Sequence, residues 1–130
     1  MTGLDTNILV RYVTQDDEAQ FLAALRLLNR KGALFFVPDI VLVELDWVLS
    51  TIYEWTRDEI AETIGRLLTI HNLAFANEDD IRSALKAVRQ GADLSDALIA
   101  AHSKHAGCKD LATFDKGLAK RHPHFAFVPK

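Results

Sequence analysis

The chain has 130 residues, the size of one domain, and 49% of them are hydrophobic, enough to bury a core without disulfide staples. Its single cysteine, Cys108, has no internal partner, no basic-then-apolar leader opens the chain, and charges interrupt every apolar run short of the roughly 20 residues a membrane span needs. A net charge of −3 argues against a protein that coats nucleic acid by electrostatics alone, and the expectation is a cytoplasmic protein with no membrane association.

In chain order, residues 2–4 read as a short strand, and Ile8, Leu9, Val10, Tyr12 and Val13 as a first helix opened by Asp5. The acids at 16–18 suit the positive end of a second helix, whose Phe21, Leu22, Leu25 and Leu28 recur at helical spacing until the stop near Lys31 and Gly32. Residues 34–37 are continuously apolar, as in a strand covered on both faces. Pro38 opens a helix to about Ile52 whose apolar residues leave little of it for water. Thr56 with Glu59 forms a capping box for an amphipathic helix carrying Ile60, Ala61, Ile64, Leu67 and Leu68.

Residues 73–76 predict a third strand. Asn77 then caps a helix that buries Ile81, Ala84, Leu85 and Val88 and ends at Gly91. Ser95 can cap the helix holding Leu98 and Ile99, which ends at Gly107. Residues 111–114 predict a fourth strand, Asp115 opens a short helix to about Lys120, and residues 125–128 predict a fifth strand. Strands alternating with helices imply an α/β fold with a mostly parallel sheet of four to five strands and helices on both faces. With no repeat or linker in evidence, residues 1–130 are expected to form a single domain.

Four acids carry the chemistry. Asp5 and Asp115 each take the first position after a strand, Glu44 lies about two turns into the third helix, and Asp96 lies at the start of the helix before the fourth strand. Ligands bind open parallel sheets beyond the carboxyl ends of the strands, so the four can face one pocket if the first and fourth strands are neighbours. Taken singly, Asp5, Asp96 and Asp115 are also explained as helix N-terminal acids. Glu44 is not: it is too far from the helix start to cap, is flanked by Ile40, Val41, Leu42, Val43, Leu45 and Trp47, and has no basic residue three or four positions away, so it reads as a buried acid in want of a partner. Carboxylates about 4 Å apart repel by about 4 kcal/mol at an effective dielectric of about 20, so gathering four calls for a cation. Oxygen donors of this kind suit Mg²⁺ or Mn²⁺ and not zinc, for which the chain has no cysteine and histidine set at ligand spacing. His102 and His105, three apart, read as ordinary surface or core residues.

The segments Leu4-Asp5-Thr6-Asn7-Ile8-Leu9, Val43-Glu44-Leu45, Ser95-Asp96-Ala97-Leu98-Ile99-Ala100 and Thr113-Phe114-Asp115 resemble, in order and spacing, the acidic motifs of PIN-domain ribonucleases, in particular the VapC-type toxins of toxin–antitoxin pairs. The resemblance implies a three-layer α/β/α sandwich, a Mg²⁺-dependent endoribonuclease site for which Mn²⁺ can substitute, a homodimer, and a small antitoxin that blocks the site. On that pattern Asp5, Asp96 and Asp115 hold the metal, Glu44 orients or activates water, and Asn7 and Thr113 support the cluster. Asp93 is either a further acid supporting the site or a loop residue, depending on where its helix starts.

Other readings remain beside this one. They are a stand-alone RNA-processing nuclease with the same site, and a non-catalytic module that keeps the acidic pocket. A phosphoacceptor receiver needs an acidic pair after the first strand and a lysine after the fifth, and a haloacid-dehalogenase-type phosphatase needs aspartate where Asn7 stands. Residues 101–130 hold six Lys or Arg against Asp110 and Asp115, with four histidines besides. This is either a solvated face or an RNA-facing one. Trp47, Tyr53 and Trp55 fall within nine residues; Trp47 is expected in the core and Trp55 exposed, at a homodimer or antitoxin contact.

Overall fold

A computed structural model describes all 130 residues. The element order is β1 (Thr2–Gly3), α1 (Thr6–Thr14), α2 (Glu18–Leu28), β2 (Phe35–Val37), α3 (Asp39–Thr51), α4 (Arg57–Leu67), β3 (Leu73–Phe75), α5 (Glu78–Arg89), α6 (Leu94–His105), β4 (Leu111–Ala112), α7 (Lys116–Arg121) and β5 (Ala126–Phe127). The expected alternation and the α/β class hold, and every strand pairing is parallel. The strands are shorter than their apolar runs, because residues at their ends pass into turns and helix caps. Their hydrogen bonds divide them into a three-stranded sheet of order β1-β2-β3 and a two-stranded sheet β4-β5. The chain forms two compact units, Met1–Glu78 and Asp79–Lys130.

In the first unit, β2 is the central strand, and its Phe35 and Val37 are buried, as the apolar run at 34–37 requires. Thr2 pairs with Phe35 and Gly3 with Phe36, and the Leu4 amide donates to the Phe36 carbonyl at 2.9 Å, which carries the pairing one step further. The chain therefore leaves the sheet at Asp5. β2 likewise ends at Pro38, which is N-cap to α3.

Helix α3 buries Val41, Leu42, Leu45 and Leu49, and these stay in the core because they recur at spacings of one, three and four on one face. The opposite face is not withdrawn from water as the sequence suggested: Ile40, Glu44 and Trp47 are exposed, Trp47 to 60%. Trp55 is half-buried, so the expectation for the two indoles is reversed. Trp47 falls on the outward arc of α3, whereas the turn after the helix folds Trp55 back, its amide donating to the Leu49 carbonyl at 2.9 Å. The Thr56–Glu59 capping box of α4 is present in both directions, at 3.1 and 2.9 Å.

A polar knot joins α1, α2 and the end of α3. Asp16 accepts from the Tyr53 hydroxyl, from Thr14 Oγ1 at 2.9 Å and from Arg11 Nη1 at 3.0 Å, and Arg11 Nε donates to Gln20 at 2.7 Å. In the second unit, α5 buries Ile81, Ala84, Leu85 and Val88 as expected. Arg121 at the end of α7 donates to the carbonyls of Gln90 and Gly91, at 3.4 and 2.9 Å, and so pins the turn that leads into α6. Gly91 sits there at φ +103°, a conformation a side chain would strain.

Two outcomes follow from this packing. Leu45→Ala, at a fully buried position, should cost about 2 to 5 kcal/mol in urea unfolding. The Tyr53 hydroxyl, followed by Thr14 and Arg11, holds the Asp16 carboxyl down at about 2, from an ordinary 3.8. A depressed carboxylate stabilises the fold above its unfolded value and loses that stabilisation as pH falls through its folded value. Asp16→Asn should therefore be less stable than wild type at pH 7, with the gap closing between about pH 5 and pH 2 in urea midpoints taken across that range.

Candidate active site

Asp5 is exposed between two buried neighbours, Leu4 and Thr6. It is the N-cap of α1, and its Oδ1 accepts from the Thr6 amide at 2.8 Å. Thr6 then turns its hydroxyl to Glu44, donating to Oε2 at 3.2 Å. The explanation of Glu44 as a buried acid in want of a partner is thus corrected. Glu44 lies on the exposed arc of α3, and its local apolar neighbours face the core or point elsewhere. What holds it is Thr6, 38 positions earlier in the chain, a contact that no local pattern announces. Asp5 and Glu44 therefore flank one buried threonine, each engaged with it through a single carboxylate oxygen. Asn7, the next residue, is exposed on the first turn of α1.

The acids of the second unit are organised by caps as well. α6 starts earlier than Ser95 would have it: Asp93 is the N-cap, its Oδ2 accepting from the Asp96 amide at 3.4 Å and from the Ser95 hydroxyl. Asp93 is therefore no plain loop residue but an acid one cap away from Asp96; of the short Asp and Ser side chains that could accept from the orphan amides, Asp93 takes that of Asp96. Asp96 lies in the first turn and is half-buried. Burial raises its carboxyl above the ordinary value, with the charges of Asp93 and then Asp115 adding to the shift. Asp115 is the N-cap of α7, its Oδ1 accepting from the Leu118 amide at 3.0 Å. Thr113 Oγ1 accepts from the Asp115 amide at 3.0 Å and so fixes the turn on which that carboxylate stands.

Two features of this unit lay outside the sequence reading. A Cβ at Gly117 would lie 3.1 Å from Asp115 Oδ1, so a glycine keeps room for the carboxylate. Phe114 is 81% exposed, because β4 ends at Ala112 and the following residues turn outward. His102 and His105 are both exposed, in line with an ordinary surface role, and His105 Nδ1 lies 3.6 Å from Asp80 Oδ2.

The donor set is one of carboxylate oxygens with hydroxyl support, which is the chemistry of a hard divalent cation and not of zinc. Burial comes first in raising the Asp96 carboxyl and the charges of Asp93 and Asp115 add to it, so a cation beside Asp96 would offset that second part, and the donors fit such an ion in kind. No three Asp, Glu, His or Cys side chains stand together at ligating spacing.

A family model described as PIN domain matches residues 4–122. The chain is also similar to the VapC ribonuclease of Aquifex aeolicus (strain VF5), with 31% identity over 127 residues that cover 92% of this chain and 91% of that protein.

Asp93→Asn keeps a good N-cap while removing one negative charge. It should lower the Asp96 carboxyl toward the ordinary range, as read by carboxyl-carbon NMR titration, with little change in melting temperature. An Asp96 titration that does not move would mean that burial and Asp115 set it without Asp93.

Proposed function

Starting from the fact that this chain belongs to the PIN-domain family, we propose that it is a Mg²⁺-dependent endoribonuclease, active with Mn²⁺ as well, and the toxin of a toxin–antitoxin pair acting in the cytoplasm. The observation that carries the reading is that the matched span, residues 4–122, contains all four acids that chemistry alone had singled out: Asp5, Glu44, Asp96 and Asp115. The match runs through both compact units without a break, and we read them as one domain that unfolds cooperatively. RNA is the substrate, and a second copy of the chain and a small antitoxin are the partners. No helix is long and apolar enough to cross a membrane.

In this reading Asp5, Asp96 and Asp115 hold the ion. Such an ion would supply a water of lowered pKa and stabilisation of the charge that develops on the reacting phosphate and the leaving oxygen. The protein supplies the rest. The caps tie Oδ1 of Asp5 and of Asp115 to backbone amides, which fixes both carboxylates without engaging their second oxygens. Glu44, steadied by the Thr6 hydroxyl, orients the attacking water and accepts its proton. Asn7 and Thr113 support the acids, Thr113 by holding the Asp115 turn. Asp93 starts the helix that presents Asp96, and its charge adds to the burial that raises the Asp96 carboxyl.

Purified protein should cleave single-stranded RNA with Mg²⁺ or Mn²⁺, and stop in EDTA. Asp5→Asn and Asp96→Asn should lose cleavage. In EDTA they should melt no lower than wild type, because neutralising one acid relieves repulsion among the rest. Mg²⁺ should stabilise wild type by about 2.7 kcal/mol at one hundred times its dissociation constant, and the variants much less. Undiminished cleavage in EDTA would sink the metal mechanism. Lower apo melting of both variants with no metal response in wild type would leave the acids as helix caps only. Growth arrest by wild type and not by Asp96→Asn, relieved by co-expressing whatever small open reading frame lies immediately upstream, separates a toxin from a housekeeping nuclease.

A further inference from the structure

At the amino ends of β2 and β3, the pole of the three-stranded sheet opposite Asp5, the first unit carries a cleft of about 540 Å³. One wall is the turn after α2, with Arg30 and Lys31; the other is the turn before β3, with Ile70, His71 and Asn72; Tyr12 of α1 completes it. The cleft is lined by two permanent cations and a histidine and by no carboxylate, in a chain whose net charge is −3. It is also built rather than incidental. Asn72 Nδ2 donates to the Leu28 carbonyl at 2.8 Å and the Asn72 carbonyl accepts from the Phe35 amide at 2.9 Å, so one residue fastens the two walls together. The Arg30 amide donates to the Leu27 carbonyl and the Ala33 amide to the Arg30 carbonyl, both at 3.2 Å, which folds the cationic turn on itself.

We propose that this cleft binds a nucleotide unit of single-stranded RNA, with Arg30 and Lys31 on the phosphates and Tyr12 and Ile70 against the base. The ligand identity rests on the ribonuclease reading; the site itself does not use any of the four acids. The cavity is larger than an inorganic anion needs and lies in the range of organic ligand sites. Cations alone would suit any anion, whereas cations beside a half-buried phenol ring suit a group that is anionic at one end and flat and apolar at the other. Arg30 suits a phosphate in particular, since a guanidinium offers paired donors to two of its oxygens. An acidic chain that must hold a polyanion gains most from a cation cluster set apart from its own acids.

The test is binding of a labelled short single-stranded oligoribonucleotide, by anisotropy in EDTA so that no cleavage intervenes, across a salt series. Arg30→Glu with Lys31→Glu is compared with a charge-matched control on α5, Lys86→Glu with Arg89→Glu, both checked for folding by thermal melts. The cleft variant should bind about tenfold more weakly and lose about 1.4 from the salt slope, two phosphates at about 0.7 each for a single strand, while the control changes little. Tyr12→Leu should weaken binding without changing the slope. Equal loss in cleft variant and control would overturn the proposal. So would displacement of the RNA by a polyglutamate peptide with Tyr12→Leu unaffected, which would make the cleft a site for an acidic protein segment. Loss of binding in the cleft variant supports the proposal whether or not wild type cleaves in Mg²⁺. A wild type that binds here and cleaves nothing would refute the nuclease reading alone.

Discussion

The turn from Leu4 to Thr6 is the constraint on which the first unit's acids depend. Leu4 and Thr6 are both buried, at 4% and 5% exposure, and Leu4 is still bonded to β2 through the Phe36 carbonyl. With its neighbours on either side committed to the interior, Asp5 has only the outside to face, and the first amide of α1 then fixes its rotamer. The same buried threonine reaches across to Glu44. A single strand-to-helix turn thus sets the position of two carboxylates that lie 39 residues apart in sequence. Such pre-organisation is what a reaction centre needs, since groups that must be ordered at the moment of reaction lose much of their effect.

The caps bear on an opposition drawn from the sequence, between acids as helix caps and acids as chemistry. Asp5 and Asp115 do cap their helices, through Oδ1 in both cases. A capping bond uses one oxygen of a carboxylate that has about four lone-pair directions, so capping and metal binding are compatible on one residue. Gly117 leaves room for the capping Oδ1 itself, which a Cβ would meet at 3.1 Å, and Thr113 Oγ1 accepts from the Asp115 amide and holds its turn. Together they keep the carboxylate in one orientation, with its second oxygen outside the cap.

Most of the fold was legible because its signals are local. The Thr56–Glu59 box, the i and i+3 or i+4 spacing of Ile81, Ala84, Leu85 and Val88, and the apolar run through Phe35 and Val37 each lie within a dozen residues, and each was read correctly in type and nearly in bounds. The failures share a cause. Glu44 was read as buried because its neighbours in sequence are apolar, yet on a helix adjacent residues face different ways, and its arc is shared with exposed Ile40 and Trp47. Trp47 lies on that same arc, and Trp55 is folded back by the turn after α3, which its polar neighbours in sequence do not announce. Thr6 with Glu44, Tyr53 with Asp16, and Arg121 with Gln90 and Gly91 join residues 30 or more positions apart, and no pattern in one sequence encodes such pairs. Asp93 and Ser95 are both good cap residues two positions apart, and only the helix start itself decides between them.

Parallel strands give a sheet two chemically different poles, and the first unit uses them differently. The carboxyl ends of β1 and β2 lead to Asp5 and to α3 with Glu44; the amino ends of β2 and β3 are fed by the turns that carry Arg30, Lys31 and His71. The separation has an electrostatic rationale. Cations placed among the acids would pair with them, satisfy their charge and occupy the lone pairs a divalent ion would use. Cations at the far pole, about a strand's length away by the roughly 3.3 Å rise per residue, are beyond pairing distance, and part of their field is screened by salt within about 8 to 10 Å. They remain free to meet a substrate's phosphates, so an acidic chain can attract a polyanion at one pole without disarming its acids at the other.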